Sequence, residues 1–248
     1  MAIQCFGATL KGISPLTLGA PVLANKSHDL YGEYEAANKA AAVKKLSTTE
    51  RQRRLEAVRD IEFMAKLHYV EKLGPVIPNE TIHAAFQEAA TAVRLGATMR
   101  RAFRIILGPF PIKYKGPRTP AAMLKEGNRK KFLHTVIVKT QGAQKYLVPA
   151  TYPCFAAGWE VDIAFTYDDT QIDHASLVGI LIYLGKCVGL GSFRQKGFGR
   201  FEVSNVIKKL EGGVTQLDAL ADLKAAIANR KAEKVEEDEE EESLEAAQ

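Results

Sequence analysis

The stretch Gly189-Leu-Gly-Ser-Phe-Arg-Gln-Lys-Gly-Phe-Gly-Arg-Phe201 constrains this chain more than any other. It joins an apolar run, Leu177 to Val188, to a short strand-like run from Phe201 to Val206. The chain therefore passes from helix to glycine-rich loop to strand. Within the loop Arg194, Lys196 and Arg200 can neutralise phosphates, and Phe193 and Phe198 offer ring faces to bases or to the core. Gly197 and Gly199 let the backbone come close to a ligand. The same residues also fit a tight helix-to-strand connection whose charges are merely solvated. A phosphate-cradling P-loop is excluded, because no Gly-x4-Gly-Lys-Ser/Thr occurs and the helix precedes the loop.

Charge is distributed unevenly around that loop. The formal net charge is +5, but Arg230 to Gln248 holds nine acids against three bases, which leaves +11 on Met1 to Asn229. A basic body with an acidic tail suits a polyanion-binding surface and a segment able to compete for it. The stretch Arg94 to Lys131 concentrates the excess, with eleven bases against Glu126 alone. Arg100, Arg101, Arg104, Lys113, Lys115, Arg129, Lys130 and Lys131 are its candidate nucleic-acid contacts. Pro109, Pro111, Gly116, Pro117 and Pro120 predict a long loop or an extended edge there.

A chain of 248 residues can bury a substantial core, as one large domain or two small ones. Cys5, Cys154 and Cys187 are far apart and lack metal spacing, which predicts buried thiols in a reducing cytosol. No basic-then-apolar start marks a signal peptide, and Leu177–Leu190 is interrupted by Gly179, Gly185 and Lys186, so no membrane span is expected. A cytoplasmic protein follows.

Ala2 to Ser14 reads as a strand whose alternation slips around Gly7, as a bulge would cause. An irregular loop leads to about Tyr31. Glu33 to Lys66 is rich in helix formers, and Ser47-Thr-Thr-Glu50 supplies a fresh capping box, so a broken helix or two helices are predicted. Leu55, Val58, Ile61 and Met64 are expected on its buried face. Leu67–Val70 and Pro75–Ile77 read as short strands, and a helix capped by Asn79 follows, with Ile82, Phe86, Ala89 and Val93 inward, ending near Leu95-Gly96. Phe132–Thr140 and Tyr146–Thr151 predict a hairpin turning at Gln141–Gln144, with Pro153 breaking the run. Gly158 to Tyr167 alternates cleanly, which places Trp159 in the core. A helix from about Asp173 to Gly189 packs Leu177, Ile180, Leu181 and Leu184 on the sheet. A last helix spans Gln216 to Asn229, and the segment from Glu233 is too charged to pack.

Catalytic constellations are sparse. His28, His68, His83, His134 and His174 show no metal-type pair and no neighbouring nucleophile, and Asp168, Asp169 and Asp173 suit helix caps better than a divalent ion. No cofactor or metal site is expected. Ribonucleolysis by residues distant in sequence stays open.

The opening strand and helix, the later hairpin and above all the helix followed by Gly189–Phe201 resemble the RAMP superfamily, which includes the Cas7, Cas5 and Cas6 families. That resemblance implies ferredoxin-like (RRM-like) domains and a glycine-rich loop that contacts RNA, here Gly189, Gly191, Gly197 and Gly199 with Arg194, Lys196 and Arg200. The chain is also similar to proteins of bacteriophage genomes through Lys11-Gly-Ile-Ser-Pro-Leu16 and Leu73-Gly-Pro-Val-Ile-Pro78-x-Glu80. The acidic tail departs from a CRISPR subunit and looks more like that of single-strand DNA-binding proteins.

The expectation is an α+β, Cas7-like core over residues 1–212 with a ferredoxin-like antiparallel sheet and a helical insertion at about 33–66. A helix at 213–229 and a disordered acidic tail at 230–248 complete it. Its expected partner is single-stranded nucleic acid, DNA or RNA, bound with little sequence preference by a homo-oligomer. The tail would contact other proteins or the chain's own basic groove. The rivals are a metal-independent endoribonuclease of Cas6 type using His28 or His134, and a non-catalytic subunit that docks an acidic partner.

Overall fold

The computed structural model describes residues 3–105, 108–139 and 147–209. The expected helix at 216–229, the acidic tail at 230–248 and the hairpin turn at Gln141–Gln144 lie outside the described residues.

The chain begins with strands β1 (Ile3–Gly12) and β2 (Leu16–Thr17), then helices α1 (Asp29–Ala41) and α2 (Thr48–Lys66). Strands β3 (Tyr69–Val70) and β4 (Gly74–Ile77) lead to α3 (Asn79–Ala92), α4 (Gly96–Ala102), β5 (Phe103–Ile105) and β6 (Phe110–Pro111). Two short helices, α5 (Pro120–Met123) and α6 (Glu126–Phe132), precede β7 (Leu133–Lys139), β8 (Leu147–Phe155) and β9 (Glu160–Asp168). Helix α7 (His174–Tyr183) and β10 (Phe201–Lys209) follow.

The main sheet has the order β10-β1-β9-β5, and every neighbouring pair is antiparallel. With α3 between β1 and β5, and α7 between β9 and β10, this is the ferredoxin-like βαββαβ arrangement expected from sequence. A second sheet, β2-β8-β7, and a small one, β3-β4-β6, are built beside it. The bulge foreseen near Gly7 is present: β1 shifts register against β10 between Gly7 and Thr9 and again before Leu10.

One face of the main sheet is apolar because alternate residues point the same way. Phe6, Ala8 and Leu10 of β1 and Val161, Ile163, Phe165 and Tyr167 of β9 are buried under α3 and α7. Phe86 of α3 packs 4.6 Å from Phe103, which lies 5.1 Å from Phe165. Each such buried ring contributes about 1.5–3 kcal/mol of transfer free energy. Trp159 is fully buried as predicted, and its indole N–H donates to the Ser14 carbonyl at 2.8 Å.

The other face carries charges that are already compensated. Lys11 stands opposite Glu202 on β10 and Glu160 on β9, and its ammonium lies 3.8 Å from the Glu160 carboxylate. Lys113 pairs with Asp162. No aromatic residue of β1 or β9 belongs to this face, so it is not the ring-studded sheet surface of an RRM.

Several expectations need correction. The basic stretch is not one loop: it is divided among α4, β5, β6, α5 and α6, because Met99, Phe103, Phe110, Met123 and Phe132 each anchor a short element in the core. Residues spaced strictly by three on α2 drift about 60° per step, so Leu55 and Met64 end up exposed on opposite sides. The buried set is Val58, Glu62, Phe63 and Ala65. Ser47 does cap α2, accepting from the Glu50 N–H at 3.2 Å. The cap of α3 is Pro78, not Asn79. Pro153 does not end β8: it pairs with Leu133, and its carbonyl accepts from the Leu18 N–H at 3.0 Å, so only its missing donor is lost. Among the described residues no helix is long and apolar enough to cross a membrane.

Candidate nucleic-acid interface

The helical run reaches Gly189 as expected, though not as α-helix throughout. Its last α-helical residue is Tyr183, and a single widened π turn, Leu184–Val188, continues it, closed by the Gly189 N–H donating to the Leu184 carbonyl at 2.7 Å. Leu184, Gly185 and Val188 point inward. That leaves Cys187 outward and exposed, contrary to the expectation of three buried thiols.

From Gly189 the loop is tied down by backbone. Ser192 N–H donates to the Thr17 carbonyl at 2.8 Å, and Thr17 Oγ1 donates back to the Ser192 carbonyl at 2.7 Å. Gly199 N–H reaches the Pro15 carbonyl at 2.7 Å, and Arg200 N–H reaches Ser14 Oγ at 2.8 Å. The loop thus extends the second sheet beyond β2. Gly199 is a packing requirement: its φ is 70°, and a Cβ there would lie 1.9 Å from the Leu190 carbonyl oxygen. Gly197 differs, because at φ 86° its Cβ position meets nothing within 4 Å. Of the glycines proposed for ligand approach, Gly197 borders open space and Gly199 is buried.

Between these anchors Phe193, itself left-handed at φ 56°, leads into a 3₁₀ turn, Arg194–Lys196, that stands out from the body. The turn meets the β7–β8 hairpin. His134 and Tyr152 are direct cross-strand partners there. Phe193 approaches Tyr152 edge-on at 4.7 Å, and Phe198 lies 5.0 Å from His134 and 6.2 Å from Phe193. Four half-buried rings from two distant parts of the chain therefore share one surface.

Cations frame the rings. Lys196 is exposed and sits 5.3 Å from the Phe193 centroid, and Lys66 lies 4.1 Å from the Tyr152 centroid. Arg200 donates to the Lys186 carbonyl and stays half-exposed. Arg194 pairs with Glu88 of α3 at 2.8 Å. Beside them a cleft of about 570 Å³ is lined by Glu88, Tyr152, Cys187 and residues 191–196.

Beneath Tyr152 lies a buried polar group that sequence reading did not find. Glu62 accepts from the Thr151 N–H at 2.6 Å and from Tyr34 at 3.3 Å. Lys66 donates to the Thr151 carbonyl at 2.8 Å and lies 3.8 Å from Glu62. Burial lowers the Lys66 pKa, with Glu62 opposing, and burial followed by the Glu62 charge raises that of Tyr152. This group braces the β8 backbone that carries Tyr152. Its only sequence signal was a Glu and a Lys at i, i+4 on an otherwise apolar face.

The remaining expected contacts are scattered. Arg129 is ion-paired with Asp60 of α2 at 2.6 Å and donates to the Glu56 carbonyl at 2.9 Å, and Lys113 is paired with Asp162. Lys115, Lys130 and Lys131 are exposed away from an acidic partner among the described residues. Arg100, Arg101 and Arg104 lie around β5, on the far edge of the main sheet from β10. His28 caps α1, its Nδ1 accepting from the Leu30 N–H at 3.2 Å. Asp168 accepts from Thr170 and Gln171, and Asp173 caps α7. Among the described residues no group of three His, Cys, Asp or Glu is placed to hold a metal ion.

No family model matches the chain, and no curated protein matches it. Among solved structures, a chain of the type III-B Cmr-beta complex bound to cognate target RNA aligns at a TM-score of 0.44 and 9% identity, over 84% of this chain and 61% of that one. This chain therefore spans less than two thirds of that relative's length. Cmr6 from Pyrococcus furiosus aligns at a TM-score of 0.35 and 12% identity, over 82% of this chain and 99% of that one. The strand order of the main sheet, rather than either similarity, carries the assignment of a ferredoxin-like α+β fold.

Proposed function

We propose that this protein binds single-stranded nucleic acid, with little sequence preference, on the surface shared by the glycine-rich loop and the β7–β8 hairpin. One observation carries the reading: Phe193, Phe198, His134 and Tyr152 gather at an anchored loop that also carries Arg194, Lys196 and Arg200, with Lys196 over the Phe193 ring. Rings stack with any base, and cations neutralise the backbone next to them. A duplex hides its base faces, so single strands are preferred. A glycine-rich loop carrying Arg194, Lys196 and Arg200 is what the RAMP resemblance implies for RNA contact, and copies set side by side along a strand belong to the same reading. Of the two histidines that the endoribonuclease reading uses, His28 is engaged as a cap and His134 is one of the four rings of this surface.

Fluorescence anisotropy with single-stranded RNA, single-stranded DNA and duplex across a salt series tests this. Replacing Arg194, Lys196 and Arg200 with alanine should reduce the slope of log K against log salt by about 2. Phe193→Ala should weaken single-strand binding by about 1–3 kcal/mol at every salt concentration. Equal binding by the parent and the triple variant would overturn the site, and no binding by the parent would overturn the function.

A further inference from the structure

The far corner of the main sheet holds a second cationic surface that the loop does not absorb. Arg94, Arg100, Arg101 and Arg104 are all exposed around α4 and the start of β5. Arg94 and the two arginines of α4 have no ion pair among the described residues. Arg104 donates to the Arg100 and Phe103 carbonyls at 2.8 and 2.7 Å, leaving its charge uncompensated. The corner also lacks a stacking surface: its rings, Phe103 and Tyr167, are 1% and 3% exposed. Charge without rings suits a flexible carboxylate-rich segment better than a single strand.

Such a segment belongs to the chain itself. Strand β10 leaves the described structure at Lys209, which stands opposite Phe6; Phe6 stands opposite Phe165, and Phe165 opposite Ile105. The exit and the arginine corner therefore sit on one row of the sheet, three strand spacings or ~14 Å apart. Glu233, the first of the nine acids in residues 230–248, follows 24 residues later. As a loose coil a linker of that length has an end-to-end reach on the order of 25 Å, and a helix over residues 216–229 would by itself be about 21 Å long. Tethering supplies the acids at an effective concentration on the order of millimolar.

We infer that the arginine corner formed by Arg94, Arg100, Arg101 and Arg104 docks the chain's own acidic segment, Glu233–Glu245. The inference is independent of nucleic-acid binding at the loop. Docking neutralises the corner and withdraws it from any polyanion bound at the loop.

The test compares amide NMR spectra of the full chain with those of a full-length variant carrying Gln at Glu236, Glu237, Glu239, Glu240, Glu241 and Glu242. Outside the substituted segment, shift changes confined to residues 94–105, and abolished in an R100Q/R101Q/R104Q chain, are expected. High salt should reproduce the effect of the Gln variant. Changes at residues 189–200 instead, or none at all, would overturn the inference. So would single-stranded RNA shifting residues 94–105 of the full chain as strongly as it shifts the loop.

Discussion

Gly197 and Gly199 are two residues apart, share a left-handed backbone and do different things. A methyl at Gly199 collides with the Leu190 backbone, whereas one at Gly197 enters open space. Gly199→Ala should therefore cost about 3–5 kcal/mol, combining the left-handed penalty with overpacking. Gly197→Ala should cost only about 1 kcal/mol. Urea denaturation of the two variants measures the difference. Sequence alone could not separate these glycines, because the distinction lies in which backbone passes opposite each one.

At the scale of the element, β8 carries more than its sequence suggests. It pairs with β7 and β2, presents Tyr152 to the loop, and packs Phe155 4.8 Å from Tyr114. Burial pushes the Cys154 thiol up from 9.0 to about 11 and the Tyr114 phenol up from 10.0 to about 12. Both groups thus hold their protons in the folded state over a range where the unfolded chain releases them. Stability should fall as pH rises from about 9 through 11, since the folded state then binds more protons. Urea midpoints across that range check this, and Cys154→Ala should show a shallower decline from a lower starting value. The hairpin was legible as alternating β-formers, but its extent past Pro153 was not, because it depends on an acceptor role toward Leu18.

Across the whole molecule, the basic excess is divided into patches with different duties. Arg129 fastens α6 to α2, and Lys113 neutralises Asp162 on the sheet face. Arg129→Ala should lower stability by about 1–3 kcal/mol while leaving the salt slope of nucleic-acid binding unchanged. The loop cations should do the reverse. Paired denaturation and anisotropy measurements on the same variants separate the two roles.

Local chemistry settled much of this protein in advance. Alternation along β9, the N-cap at Ser47, the bulge at Gly7 and the helix–loop–strand passage at Gly189 all depend on neighbours in sequence, and each appears in the fold. Charge asymmetry between body and tail is likewise a property of composition. What tertiary structure decided is which of those residues meet. Register pairs His134 with Tyr152, the turn at Pro15–Thr17 holds the loop against them, and the sheet order sends the arginines of α4 to the opposite corner. These outcomes follow from long-range packing and strand pairing, which depend on the whole core and leave no trace in any short window of sequence.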